Sequence, residues 1–472
     1  MPNPSDIKYE VVEYTRGAVL EIGNGGNRTY PHFLTVATDG KPLVKVDDLA
    51  DLSGAINPDS VDSVFYVGDS INASLVKHWW SFLKADGYLV LYFDKQPGFE
   101  AKDVVDLVRG VDSGYDLIVR QDREGDAFLL VFKKLATSKV VNSWMMKSFS
   151  GSKKTACVVR YGGFGDMIQS ANLFPALKRE GYRVTVMTTP KGYDILKNDP
   201  HIDEWFIQDH DQVPNHELGD FWKVVSKRYD KFVNLCESVE GTLIAMPGRA
   251  SHAWPHEVRH AMLNKNYLEF TSQLAGVEYA SESKFYPTAD ELAAAKARLC
   301  DGLNVVWALA GSSCHKFYPG QDTVMARILL EHPNCRIFMV GDEACQILEA
   351  GWEKEERVVC LSGKINIRDT LTLAKVADVV IGCETGVLNA VAFEDNRKVV
   401  LLSHSSHENL TKHWKNSIAL APEGLSCYPC HRLHYTREFC NEDKETGAAM
   451  CQKLIPPSDV YAAVEYKEEV AA

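Results

Sequence analysis

Long apolar runs are missing from this chain of 472 residues. Its hydrophobic stretches are no longer than a strand, and the opening MPNPSDIKYE is polar and acidic. Neither a secretory signal nor a membrane-spanning helix is expected. A surplus of basic charge is missing too. Lys and Arg number 51 against 64 Asp and Glu, a net of −13, a poor match to a general polyanion binder, although a local basic patch is compatible with it. There is no short internal repeat and no low-complexity tract. The twelve cysteines lack the spacing of a disulfide framework. Most sit in strand-like segments such as KFVNLC and RVVCLS, which suits buried thiols in a reducing cytoplasm, the expected location.

What the chain does have is regular alternation. Strand-length apolar runs alternate with helix-period segments almost throughout, the pattern of α/β domains with parallel sheets. Residues 1–136 form a first block closing with DAFLLVFKKLA, and the polar stretch 137–154 reads as a linker. Residues 155–285 form a second block with strands at ACVVRY, RVTVMTT, DEWFIQ and KFVNLC. Residues 286–472 form a third, with strands at NVVWALA, CRIFMVG, RVVCLSG, ADVVIGC and KVVLLS. Two successive doubly wound sheets imply a cleft between them, lined by loops that follow the strands.

The first such loop is unusual. RYGGFGDMIQSANLFPALKREG (160–181) opens as a glycine-rich turn of the kind that cradles phosphate. Its glycine turn, 160–166, holds no lysine and no G-x-G-x-x-G spacing, and it places Asp166 where an anion-binding loop would want a neutral residue. The plainest reading of Asp166 is a helix-start carboxylate complementing the dipole.

A resemblance supplies another reading. VVRYGGFGDMIQSANLFPALKREGYRVTVMTTPKGYDILKNDPHID resembles the first half of the lipopolysaccharide heptosyltransferase family. LAGSSCHKFYPGQ, MVGDEACQIL, VIGCETGVLNAVAF and VVLLSHSSHENLTKHW follow in that family's order and spacing, covering roughly 155–472. The resemblance implies a GT-B fold and an inverting, metal-independent glycosyltransferase using an ADP- or UDP-sugar. It makes Asp166 the base that takes the proton of an acceptor hydroxyl, since an alcohol is a poor nucleophile. Gly162, Gly163 and Gly165 then give the acceptor close approach. Lys316, with Ser312 and Ser313, holds and stabilises the leaving diphosphate, as do Thr385 and Gly386 at a helix start. Gly311 stands where the family carries a hydroxyl. Glu384 stands where the family usually has Asp touching donor-sugar hydroxyls, which leaves the sugar open. Glu343 matches a carboxylate that hydrogen-bonds the ribose, against a surface glutamate as the plainer reading. His404 borders the donor. Arg249 and Arg259, in or beside the run HAWPHEVRHAMLNKNY (252–267), pair with acidic acceptor groups or are ordinary surface decoration.

Cys427, Cys430, Cys440 and Cys451 form a C-x2-C pair followed by two further thiols, with His431 and His434 as substitute ligands. They read as a structural zinc clip or as four reduced thiols. Such a cysteine-rich segment also occurs at this point in several relatives of the family. In the first block, RGAVLEIGNGG resembles the first motif of class I S-adenosylmethionine methyltransferases, with Glu21, Gly23 and Gly25 as cofactor positions. Asn27 replaces the third glycine and Pro31 discourages the next helix. The reading preferred is a degenerate domain without cofactor, serving docking or acceptor recognition. The implied acceptor is a cell-envelope saccharide such as lipopolysaccharide core. Three alternatives remain: a phage-type DNA glycosyltransferase acting on 5-hydroxymethylated pyrimidines, a bifunctional methyltransferase–glycosyltransferase, and a non-catalytic scaffold.

Overall fold

The computed structural model describes residues 7–23, 29, 33–36, 52, 56–68, 71–95, 97–123, 127–137, 139–143, 154–311, 316–435, 438 and 440–465. The chain forms two compact units, Met1–Thr155 with Phe206–Lys231, and Ala156–Trp205 with Phe232–Ala472.

The first unit is built on a six-stranded sheet. Its strands are β1 (Val19–Ile22), β2 (Leu34–Val36), β3 (Val61–Gly68), β4 (Leu83–Asp94), β5 (Tyr115–Asp122) and β6 (Ala127–Lys134), in the order β2-β1-β3-β4-β6-β5. The first four neighbours are parallel, and β6 runs antiparallel to β4 and β5. Strands covered on both faces carry near-continuous apolar sequence, and β3 and the YLVLYFD half of β4 show it, with Val64, Leu89, Leu91 and Phe93 fully buried. Helices Ala73–Phe82 and Ala101–Val111 add Trp79, Val104 and Val108 to that core. The segment 206–231 joins this unit through specific bonds. Gln212 Nε2 donates to the carbonyls of Val12 (2.7 Å) and Thr15 (2.8 Å), and Lys8 Nζ pairs with Glu217 Oε2 at 2.6 Å.

Glu21 is fully buried, and its carboxylate accepts from the Thr29 backbone N at 3.0 Å and from the Thr29 hydroxyl. Gly23 has φ +89°, and a Cβ there would meet the Val67 carbonyl oxygen at 2.2 Å. Close packing on β3 is thus the demand on this glycine. Gly25, Asn27 and Pro31 lie outside the described residues.

The second unit contains two α/β halves. In the first, β7 (Thr155–Val159), β8 (Arg183–Thr188), β9 (Glu204–Ile207) and β10 (Lys231–Asn234) are ordered β10-β7-β8-β9. In the second, β11 (Asn304–Ala308), β12 (Arg336–Val340), β13 (Val358–Cys360), β14 (Val379–Cys383), β15 (Arg397–Leu401) and β16 (Ser417–Leu420) are ordered β13-β12-β11-β14-β15-β16. Every pair of this sheet is parallel. All five residues of β11 and of β14 are buried, as strands covered on both sides must be. Both sheets reverse their strand order at the first strand: β7 lies between β8 and β10, and β11 between β12 and β14. Ligands bind outside the carboxyl ends of strands at such reversals. Those are the places where the glycine turn, the loop carrying Lys316 and the Glu384–Gly386 turn emerge.

Candidate functional site

After β7 the chain turns through Gly162, at φ +119°, into the short helix Phe164–Ser170. Asp166 is the third residue of that helix, and its Oδ2 accepts from the Gly163 backbone N at 2.8 Å. A Cβ on Gly162 would lie 2.6 Å from Asp166 Oδ2, so the glycine makes room for the carboxylate itself. The other oxygen, Oδ1, is held by Arg160 Nη2 at 2.5 Å. Arg160 is 1% exposed, and its Nη1 reaches Glu240 Oε1 (2.7 Å) and the carbonyl of Leu235 (3.1 Å), just beyond β10. A buried guanidinium thus fixes the carboxylate between the two strands flanking the reversal. The Asp166 side chain stays 37% exposed, accessible to a second molecule.

Gly165 lies against Gly386. A Cβ on Gly386 would stand 3.0 Å from the Gly165 backbone N and 3.3 Å from its Cα. Two glycines therefore bring the helix starting at Phe164 against the helix Gly386–Ala390 of the other half, backbone to backbone. Gln169 Nε2 donating to Asn389 Oδ1 at 3.2 Å ties the two helices one turn further on. Thr385 caps the second helix, its hydroxyl accepting from the Leu388 backbone N at 3.4 Å.

Glu384 precedes that cap and is buried. Its Oε1 accepts from the backbone N of Ser403 (2.6 Å) and Ser405 (3.0 Å), and its Oε2 from the Ser403 hydroxyl (2.5 Å). Lys316 Nζ stands 3.9 Å from Oε2 and 3.5 Å from the Glu384 carbonyl oxygen. Burial opposes ionisation of Glu384, but His404 and Lys316 facing it and the bonds from Ser403 outweigh burial and bring its pKa down to about 2. His404 Nδ1 lies 3.6 Å from Glu384 Oε1; burial and the nearby Lys316 ammonium lower its pKa, while Glu384 opposes that shift. Gly311 fits the same picture: a Cβ there would press Lys316 Cδ at 3.0 Å. The missing hydroxyl leaves space for the lysine stem.

Lys316, Ser403 and His404 line a cavity together with Cys427, Cys430, Cys440 and Cys451. The structure thus gathers the four thiols beside the lysine. Cys430 Sγ lies 3.7 Å from His434 Nε2, and Cys427 Sγ accepts from Asn441 Nδ2 at 3.7 Å. Among the described residues, no three Cys, His, Asp or Glu side chains converge as a metal-ligand group.

The remaining candidates are dispersed. Glu343 is exposed at the start of the short helical turn Glu343–Leu348, after β12. Arg249 pairs with Glu237, and Arg259 is buried, donating to the carbonyl of Cys430 at 3.0 Å. Ser312 and Ser313 lie outside the described residues. Arg160, Glu240, Ser403 and Ser405 had not been singled out. Arg160 alone offered a signal, a charge at a strand end six residues before Asp166.

No family model and no curated protein matches the chain. Among solved structures it is similar to the ADP-heptose lipopolysaccharide heptosyltransferase II of E. coli, at 14% identity and a TM-score of 0.45, over 66% of this chain and 97% of that one. It is also similar to a glycosyl transferase family 9 protein of Veillonella parvula, at 12% identity and TM-score 0.47, over 66% and 96%. A TehB-like S-adenosylmethionine-dependent methyltransferase of Corynebacterium glutamicum matches 27% of this chain and 86% of its own, at 15% identity and TM-score 0.22.

Proposed function

We propose that the second unit is an inverting glycosyltransferase that moves a sugar from a nucleoside-diphosphate donor to an acceptor hydroxyl. The observation that carries this reading is the juxtaposition across Gly165 and Gly386. It puts an exposed carboxylate, Asp166, on one side of the crevice, with the Thr385–Gly386 helix start and the ammonium of Lys316 on the other. Asp166 Oδ takes the acceptor proton as the hydroxyl attacks the anomeric carbon and the diphosphate oxygen departs. Lys316 and the amides at the Gly386 helix start offset the charge that develops on the diphosphate. An ammonium and backbone amides supply that stabilisation without calling on a divalent ion. Glu384 acts as a positioning residue for Lys316 and the Ser403–Ser405 loop, its carboxylate being already engaged by three donors. The sequence resemblance adds the acceptor class, a cell-envelope saccharide.

The test has two parts. A thermal-shift screen of nucleoside diphosphates and nucleotide sugars identifies the donor, because ligand bound to the native state raises Tm. Asp166→Asn is then expected to keep the donor-induced shift while losing ~10²–10⁴-fold in transfer. Unchanged transfer by the variant removes Asp166 from the role of base.

A further inference from the structure

Behind the crevice lies a second, smaller cavity that the transfer chemistry does not use. Its walls come from both halves of the second unit. Gln169 and Asn172 contribute from the first, Asn389 and Phe393 from the second, and Lys284 from the segment connecting them. It has room for one particle of about the size of a water molecule.

Lys284 is 5% exposed. Among the described residues its Nζ has neither a hydrogen-bond acceptor nor a carboxylate within ion-pair distance. Its one polar contact is with the face of the Phe393 ring, 5.3 Å from the centroid. No Asp or Glu lines the cavity, whereas four side-chain amides and His413 do. The other buried cations described above have acceptors: Arg160 has Asp166 and Glu240, Lys316 has Glu384, and Arg259 has the carbonyl of Cys430. An ammonium removed from water and left without a counter-charge is strongly unfavourable. Burial accordingly pushes Lys284 down to about 8.

We propose that this cavity is a binding site for a small monovalent anion of halide size, held by Lys284, which fastens the two halves at their connection. The cavity fits the role in the absence of carboxylates among its lining residues and in drawing walls from both sides. Divalent or polyatomic anions as large as phosphate exceed the space. The site uses neither Asp166 nor Lys316, although Gln169 and Asn389 also join the two helices of the crevice.

Crystals of the full chain soaked in sodium bromide test this directly. Anomalous diffraction is expected to show one bromide in the cavity next to Lys284 Nζ, and a cavity holding only water would overturn the proposal. In solution, Tm at pH 7 in sodium chloride or bromide is expected to exceed that in sodium gluconate of equal ionic strength by about 3 °C or more. Lys284→Met, which fills the same volume without charge, is expected to abolish the difference. An equal halide effect in the variant would place the anion elsewhere and refute the assignment.

Discussion

Replacing Glu384 by Gln removes a charge while keeping shape, and its consequence can be worked from the geometry. The folded protein holds this carboxylate at about 2, against an ordinary 4.5, through His404, Lys316 and the bonds from Ser403. A depression of that size is worth about 3 kcal/mol at neutral pH. The sign follows from its direction. The stabilisation is complete above the unfolded value of 4.5 and is lost as pH falls through 2. At pH 3 about 1 kcal/mol of it remains. Urea unfolding of wild type and E384Q at pH 7 and pH 3 reads this difference. At pH 7 the variant is expected to be less stable by about 3 kcal/mol, and the gap should shrink to about 1 kcal/mol at pH 3. A gap that is constant, or that widens on acidification, would mean that the carboxylate is not held ionised by these partners, and the account of the Lys316 environment would fall with it.

Lys316→Met should weaken nucleoside-diphosphate binding roughly 10-fold or more and slow transfer ~10²-fold, by calorimetry and turnover assays; unaltered affinity would free the lysine from the donor site. Gly386→Ala should lower stability by about 1–3 kcal/mol, because its Cβ meets the Gly165 backbone. Gly219→Ala, in a helix with nothing within 4 Å of the added methyl, should be neutral or slightly stabilising. Equal melting of the two variants would show that the helix starts are not in close contact. Elemental analysis of protein grown with zinc should find no stoichiometric metal and four titratable thiols at 427, 430, 440 and 451, because no three ligands converge there among the described residues; about one equivalent of zinc per chain, lost when Cys427 and Cys430 are both serine, would refute this reading.

Strand positions were legible in the sequence wherever a strand is covered on both faces. ACVVRY, NVVWALA, ADVVIGC and KVVLLS appear as β7, β11, β14 and β15 because continuous apolar runs are what such strands require. The edge strands β5 and β16 escaped for the converse reason: YDLIVRQD ends exposed, and SIAL is only half-buried. HWWSFLKADGYLVLYFD is divided by the fold, its first five residues completing a helix before β4 begins at Leu83. At the site, Asp166 and Lys316 carry signals because their types stand out against glycine-rich loops. The partners that hold them could not be read in advance. Glu240 lies 80 residues from Arg160 and Ser403 19 residues from Glu384, and only folding pairs them. The glycines were legible as special but not in purpose. Gly162 and Gly165 answer to a carboxylate and to an opposing backbone, contacts without a sequence pattern.

The excursion between β9 and β10 has a consequence for how this polypeptide is assembled. Because Phe206–Lys231 docks on residues 8–17 before the chain returns to complete its sheet, the two units are interleaved rather than strung in tandem. Excising the amino-terminal portion at its apparent boundary would strip Gln212 of both its carbonyl acceptors and Glu217 of its lysine. The stretch 206–231 can therefore make these bonds only when residues 8–17 are present.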